Sequence, residues 1–199
     1  YSFLESLGDR DWRSGIAEAV KVSLIKDISF FTWLEQKADA MNQRDKSVMV
    51  EQIYHCASLH MQHIASGDPF EQGSARPLDF GHWAAHKLEY LSDFKIRHGE
   101  AVAIGIALDS VYSHLMGYLT KEEVDRILDL LQKLGFAIFH SALAENDKVN
   151  LTNGLNEFRE HLGGQLTITL LEKLGKGVEV HEMDFEIIKK SVDYLAKIA

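Results

Sequence analysis

Glu100-Ala101-Val102-Ala103-Ile104-Gly105-Ile106-Ala107-Leu108 is apolar on nearly every face of the helix it would form. A surface helix shows one apolar stripe, whereas a helix apolar all round is buried. The run predicts a central helix from Glu100 to about Leu119, with the rest of the chain packed around it. Just upstream lies Arg97-His98-Gly99, and before that Asp79-Phe80-Gly81-His82-Trp83-Ala84-Ala85-His86. His82 and His86 are four apart and share one face of a helix expected from Gly81 to Leu91. Gly81 and Ala84-Ala85 keep this motif small, so another backbone or a ligand can come close. The positive end of the central helix falls beside His98 and favours an anion or a carboxylate there. The chain has ten His, and His55, His60, His63, His82, His86 and His98 crowd into one stretch. Two imidazoles from different segments, beside carboxylates, suit a divalent transition metal such as zinc. By spacing alone, a cluster of solvated histidines explains the pattern equally well.

Upstream, Asp11 reads as the N-cap of a helix running to about Glu35. Glu18 and Lys21 are neighbours on it, and taken alone they are a surface ion pair worth a few tenths of a kcal/mol. A second helix is expected from about Asp45 to Ile64, with Val48, Ile53, Ala57, Met61 and Ile64 as core positions. His55, His60 and His63 share no single face of it and read as structural or solvated. Ser66 to Pro77 holds both prolines of the chain and reads as a loop.

Downstream, Thr120-Lys121-Glu122-Glu123 is a capping box opening a helix that stops at Gly135. Ala144 to Gly154 reads as polar loop, and Asn156 to His161 as a short helix ended by Gly163-Gly164. Leu166 to Leu171 alternates apolar and hydroxyl residues and predicts a small ribbon with Val178 to His181. Asp184 caps a last helix, Phe185 to about Ile198. The fold class is mainly α, multi-helical, with a small β ribbon.

The length of 199 residues fits one domain spanning 1–199, or half of a larger enzyme. The net charge of -9 argues against nucleic acid and anionic membrane as partners. A single Cys, Cys56, permits no internal disulfide and fits a cytoplasmic, reducing setting. No apolar run reaches transmembrane length.

Three blocks now carry a resemblance: Ser14-Gly15-Ile16-Ala17-Glu18-Ala19-Val20-Lys21, then Asp79-Phe80-Gly81-His82, then His98-Gly99-Glu100-Ala101-Val102-Ala103-Ile104-Gly105. In this order they resemble the signature blocks of the sugar phosphate cyclases, of which dehydroquinate synthase is the best-known member. The resemblance implies a C-terminal, multi-helical domain that binds metal and substrate, beside an N-terminal domain that binds NAD. No Gly-rich dinucleotide fingerprint follows a strand here, and the chain begins at Tyr1, so the expectation is the C-terminal half alone.

By the resemblance, Glu18, His82 and His98 are the ligands of Zn2+ (or Co2+). Lys21, Asp79 and His86 are catalytic and substrate-contacting residues, and Arg159 is a further substrate contact. A homodimer is usual in the family. The implied chemistry is a transient NAD oxidation, loss of phosphate, and an intramolecular aldol that closes a carbocycle. A three-ligand metal with open positions suits it as a Lewis acid.

Departures from the dehydroquinate synthase pattern bear on substrate. That pattern has Asn where this chain has Asp79, Lys where it has Met61, and Arg where it has Ala75, with Arg76 displaced by one. Losing cations and gaining a carboxylate disfavours a substrate with its own carboxylate. Together with the run Gly154 to Gly164, these changes are more similar to the 2-epi-5-epi-valiolone synthase type, which acts on sedoheptulose 7-phosphate. His86 is retained as in dehydroquinate synthase, so that activity stands as the alternative. A non-catalytic helical assembly domain is the rival from another class. A metal-dependent hydrolase of the HD type needs a His-Asp pair, and no such dipeptide occurs.

Overall fold

The computed structural model describes residues 1–65, 79–161 and 166–199. The helices are α1 (Asp9–Lys26), α2 (Ile28–Asn42), α3 (Lys46–Ala65), α4 (His82–Leu91), α5 (His98–Leu115), α6 (Lys121–Lys133), α7 (Val149–His161) and α8 (Phe185–Ile198). Strands β1 (Ile168–Lys173) and β2 (Lys176–Val180) form an antiparallel hairpin, with Ile168 opposite Val180 and Leu170 opposite Val178. The class is mainly α with a small ribbon, as expected. The loop from Ser66 to Pro77, with Ala75 and Arg76, and the Gly163-Gly164 stop lie outside the described residues.

α5 is the buried central helix. Gly99 and every residue from Ala101 to Ser113 are buried in it, and α1, α4, α6, α8 and β1 all pack against it. It ends at Leu115, short of Leu119, because Gly117 turns the chain at φ 83 and the Tyr118 N–H donates to the Ser113 carbonyl at 2.9 Å. Ser113 also ties the ribbon to the core, its Oγ accepting from the Leu171 N–H at 3.2 Å. The hairpin turn is pinned to α1 by the Gly175 N–H, which donates to the Leu24 carbonyl at 2.8 Å.

Two caps are as the sequence predicts. Thr120 Oγ1 accepts from the Glu123 N–H at 3.2 Å while Glu123 Oε2 accepts from the Thr120 N–H at 2.9 Å. Asp184 Oδ1 accepts from the Glu186 and Ile187 N–H groups.

Four further expectations are corrected. The long first helix is two helices, broken at Asp27, whose Oδ1 accepts from the Ser29 and Phe30 N–H groups and so caps α2. Asp11 is not a cap; it lies inside α1 and pairs with Arg97. On α3 the buried residues are Val48, Met49 and Gln52. Ala57 and Met61 are exposed, and Ile53 and Ile64 are half-buried. A cleft of about 440 Å³ opens between α1 and α3, lined by Glu18, Ile53 and Cys56 among others. The polar stretch after Ala144 is helical from Val149 onward. It is held by packing rather than propensity, because Leu151 and Leu155 are buried and Lys87 of α4 reaches Glu157 at 2.7 and 2.9 Å.

Candidate metal centre

Two close backbone approaches assemble the site. α1 meets the start of α5 where a Cβ on Gly99 would lie 2.4 Å from Ser14 Cα. Glu18 is one turn beyond Ser14, so this contact sets it beside His98, the first residue of α5. Arg10 clamps the same junction, donating to both oxygens of Glu100 at 2.7 and 2.5 Å. The second approach is between α5 and the turn before α4. Gly81 has φ 77, and a Cβ on Gly105 would lie 2.0 Å from the Gly81 carbonyl oxygen. The "small" motif therefore serves another backbone. Inside that contact Asp109 accepts from the Gly81 N–H at 3.0 Å and from Trp83 Nε1–H at 2.9 Å, which fixes the turn that aims His82.

Glu18, His82 and His98, drawn from three helices, each offer one ligand atom, all within 4.8 Å of one another. Glu18 Oε1 is 3.8 Å from His82 Nε2 and 3.6 Å from His98 Nε2. His82 Nδ1 is 3.2 Å from the Phe80 carbonyl oxygen, and His98 Nδ1 is 3.2 Å from Glu89 Oε2. Both partners only accept, so each Nδ1 carries the proton and each Nε2 presents its lone pair toward Glu18. Burial first, and then the Lys21 charge, push the His82 imidazole down to about 4, so it is neutral at pH 7, the form that ligates a metal. Glu18 Oε1 is itself buried and accepts no hydrogen bond. A buried carboxylate oxygen left unpaired is costly. An orphaned oxygen facing two imidazole lone pairs fits a divalent cation, and this donor set of one carboxylate and two imidazoles suits zinc.

Lys21 is buried and its Nζ lies 2.5 Å from Glu18 Oε2 and 3.5 Å from His82 Nε2. His86 is exposed on the same face of α4, its ring 5.7 Å from that of His82 and 5.8 Å from that of His98, centroid to centroid. Asp79 is half-buried in the turn before α4. Arg159 is exposed on α7, and none of the contacts above includes it. His55 is away from this cluster, stacked on Phe30 at 4.8 Å. Burial pushes the Cys56 thiol up to about 11, which keeps it protonated.

Sequence reasoning missed Glu89 and Asp109. Glu89 had a signal, being three residues after His86 on the same helical face. Asp109 had none, since a carboxylate within an apolar helix gives no hint of its partners. Burial pushes the Asp109 carboxyl up from its ordinary 3.8 to about 7, against the opposing pull of Trp83 and Gly81. The folded state thus holds this proton more tightly than the unfolded chain. The stability it contributes is complete below about pH 4 and is lost as the pH rises through about 7. In urea unfolding of metal-free protein, stability should fall between pH 4.5 and 7.5 more steeply for the native chain than for Asp109→Asn. Equal slopes would refute the shift.

The fold and cluster define a class, a helical domain with a carboxylate and two imidazoles converging from three helices on its central α5. The chain belongs to the family described as 3-dehydroquinate synthase C-terminal, whose model matches residues 15–156. It is 30% identical over 190 residues to 3-dehydroquinate synthase of Acinetobacter baumannii (strain AYE), covering 95% of this chain and 52% of that protein. It is 33% identical over 191 residues to the 3-dehydroquinate synthase of Nitrosococcus oceani, covering 96% and 52%. Among solved structures, 2-epi-5-epi-valiolone synthase from Streptomyces hygroscopicus subsp. jinggangensis 5008, with NAD+ and Zn2+ bound, superposes with a TM-score of 0.91 at 28% identity. The match covers 100% of this chain and 54% of that one. A 2-deoxy-scyllo-inosose synthase, at TM-score 0.69 and 21% identity over 94% of this chain and 53% of its own, shares the fold. The chain thus spans about half the length of the relatives it matches. No helix among the described residues is long and apolar enough to cross a membrane.

Proposed function

We propose that this chain is the metal- and substrate-binding half of an NAD-dependent sugar phosphate cyclase, a phosphate-eliminating lyase. The observation that carries the reading is the orphaned Glu18 Oε1 facing the Nε2 atoms of His82 and His98. In this reading those three residues hold zinc or cobalt, and an N-terminal half of the protein supplies NAD. The whole enzyme works as a homodimer. When bound, the metal supplies Lewis-acid stabilisation of a substrate oxygen.

The chain's own residues do the rest. Lys21 presents a cation fixed in place by Glu18, suited to a substrate phosphate or an oxygen that gains charge. His86 gives and takes a proton at its free ring nitrogen. Asp79 accepts from substrate hydroxyls, and Arg159 lends charge from α7. The carboxylate of Asp79, with Met61 in place of a cation, favours a polyol phosphate without a carboxylate, such as sedoheptulose 7-phosphate. The 2-epi-5-epi-valiolone synthase likeness supports that choice. The second reading, 3-dehydroquinate synthase, is favoured by the named relatives and by His86.

The test uses full-length protein with NAD and zinc, given sedoheptulose 7-phosphate or the seven-carbon precursor of dehydroquinate. Phosphate release with the first alone, with a cyclised product, is expected. Release with the second alone establishes the second reading. Release with neither overturns the cyclase reading.

A further inference from the structure

Glu89 reaches both functional histidines of the α4–α5 corner with a single oxygen. Its Oε2 lies 3.2 Å from His98 Nδ1 and 3.4 Å from His86 Nδ1. Its side chain is only 18% exposed. The two imidazole rings stack at an interplanar angle of 30°, so both Nδ1 atoms converge on one side. His86, Glu89 and His98 form a ligand-like group in their own right. That group shares His98 with the Glu18 cluster, and the arrangement of atoms explains it without a second ion.

We infer that Glu89 is the positioning residue of the site, one carboxylate that sets the tautomer and orientation of His98 as ligand and of His86 as proton-transfer group. His98 Nδ1 is hydrogen-bonded to Glu89, and a carboxylate only accepts, so that nitrogen carries the proton; His86 Nδ1, in ion-pair reach at 3.4 Å, is drawn to the same form by the negative charge. That leaves the lone pair of each ring on Nε2. For His98 this is the atom 3.6 Å from Glu18 Oε1; for His86 it is the atom free to exchange a proton with substrate. A carboxylate behind a ligating imidazole also raises its basicity, and losing such a partner typically weakens metal binding by about 10–100-fold. The coupling has a consequence. Both groups lean on one side chain, so a change at Glu89 disturbs metal affinity and proton transfer together, whereas a change at His86 alone disturbs only the second.

The inference rests on the metal reading above, and the experiment separates the two. Zinc affinity is measured by chelator competition for the native protein, Glu89→Leu, Glu89→Gln and Glu18→Gln. In parallel, ¹⁵N-resolved imidazole spectra of the metal-free proteins report which ring nitrogen is protonated. Glu89→Leu should bind zinc about 10–100-fold more weakly and show Nε2–H forms of His86 and His98. Glu89→Gln, whose amide oxygen still accepts, should fall between. Native-like affinity and unchanged tautomers in Glu89→Leu, with unfolding at the native temperature, would overturn the inference. Absence of zinc binding by the native protein would overturn the metal reading instead, and the metal-free spectra would still decide the tautomer role. Should Glu89→Leu unfold, the Glu89→Gln spectra and affinity carry the decision. Native values in both would overturn the inference.

Discussion

Glu18→Gln will bind zinc roughly 10²–10³-fold more weakly than the native chain. The figure follows from about 10–16 kcal/mol spread over a four-position tetrahedral site, of which Glu18, His82 and His98 would fill three, with each 1.4 kcal/mol a factor of ten. Gln keeps the shape of Glu18 and an oxygen that can accept from Lys21 Nζ, now 2.5 Å from Oε2. The fold therefore survives while the anionic ligand is lost. Thermal unfolding with and without zinc checks this. A ligand that binds only the folded state raises its stability in proportion to the logarithm of its concentration over Kd. The native protein should show a zinc-dependent rise in Tm that Glu18→Gln lacks, with equal Tm in chelator. Equal zinc responses would remove Glu18 from the centre.

Gly105→Ala should cost about 3–5 kcal/mol, at the upper end of overpacking effects. Its Cβ would stand 2.0 Å from the Gly81 carbonyl oxygen. Both partners are backbone, one in the buried α5 and one in a turn held by Asp109, so neither can yield as a side-chain tip would. Displacing the turn also moves His82. Gly15→Ala is the control. Nothing lies within 4 Å of its would-be Cβ, and alanine in a helix interior gains up to about 1 kcal/mol over glycine. Urea unfolding should therefore move in opposite directions for the two substitutions. A Gly105→Ala protein as stable as the native one would mean that helix and turn do not touch.

The elements legible in the sequence were those whose local signals agreed with their packing. α5 announced itself because it is apolar on all sides and central, and α6 and α8 because Thr120 and Asp184 cap them. The α1–α2 break was hidden because Asp27 sits in an unbroken helical pattern, where an aspartate is as ordinary on the surface as at a cap. α7 was hidden because Asn150, Thr152, Asn153 and Gly154 are poor helix formers. Tertiary contact decides it: a Cβ on Gly154 would meet Lys87 Cγ at 2.7 Å, so only glycine lets α4 lie so close. On α3 the apolar period was real, but only its first two turns are buried.

The candidate site was legible in part. Glu18 and Lys21 have the spacing of any surface ion pair, and only the ordered likeness to a family drew attention to them. What brings Glu18 to His82 and His98 is the contact of Ser14 with Gly99, a feature of backbone distance that residue spacing does not encode.

Lys21 gives the centre one more property. Its ammonium rests between Glu18 and His82, so the pocket carries a counter-ion of its own, and the three helices that bring the ligands together are joined by a core owing nothing to the metal. Loading then places a second cation on Glu18 Oε1 while Lys21 keeps Oε2, an addition to a finished scaffold and not a step in folding. Chelators should empty this domain while leaving its helices intact.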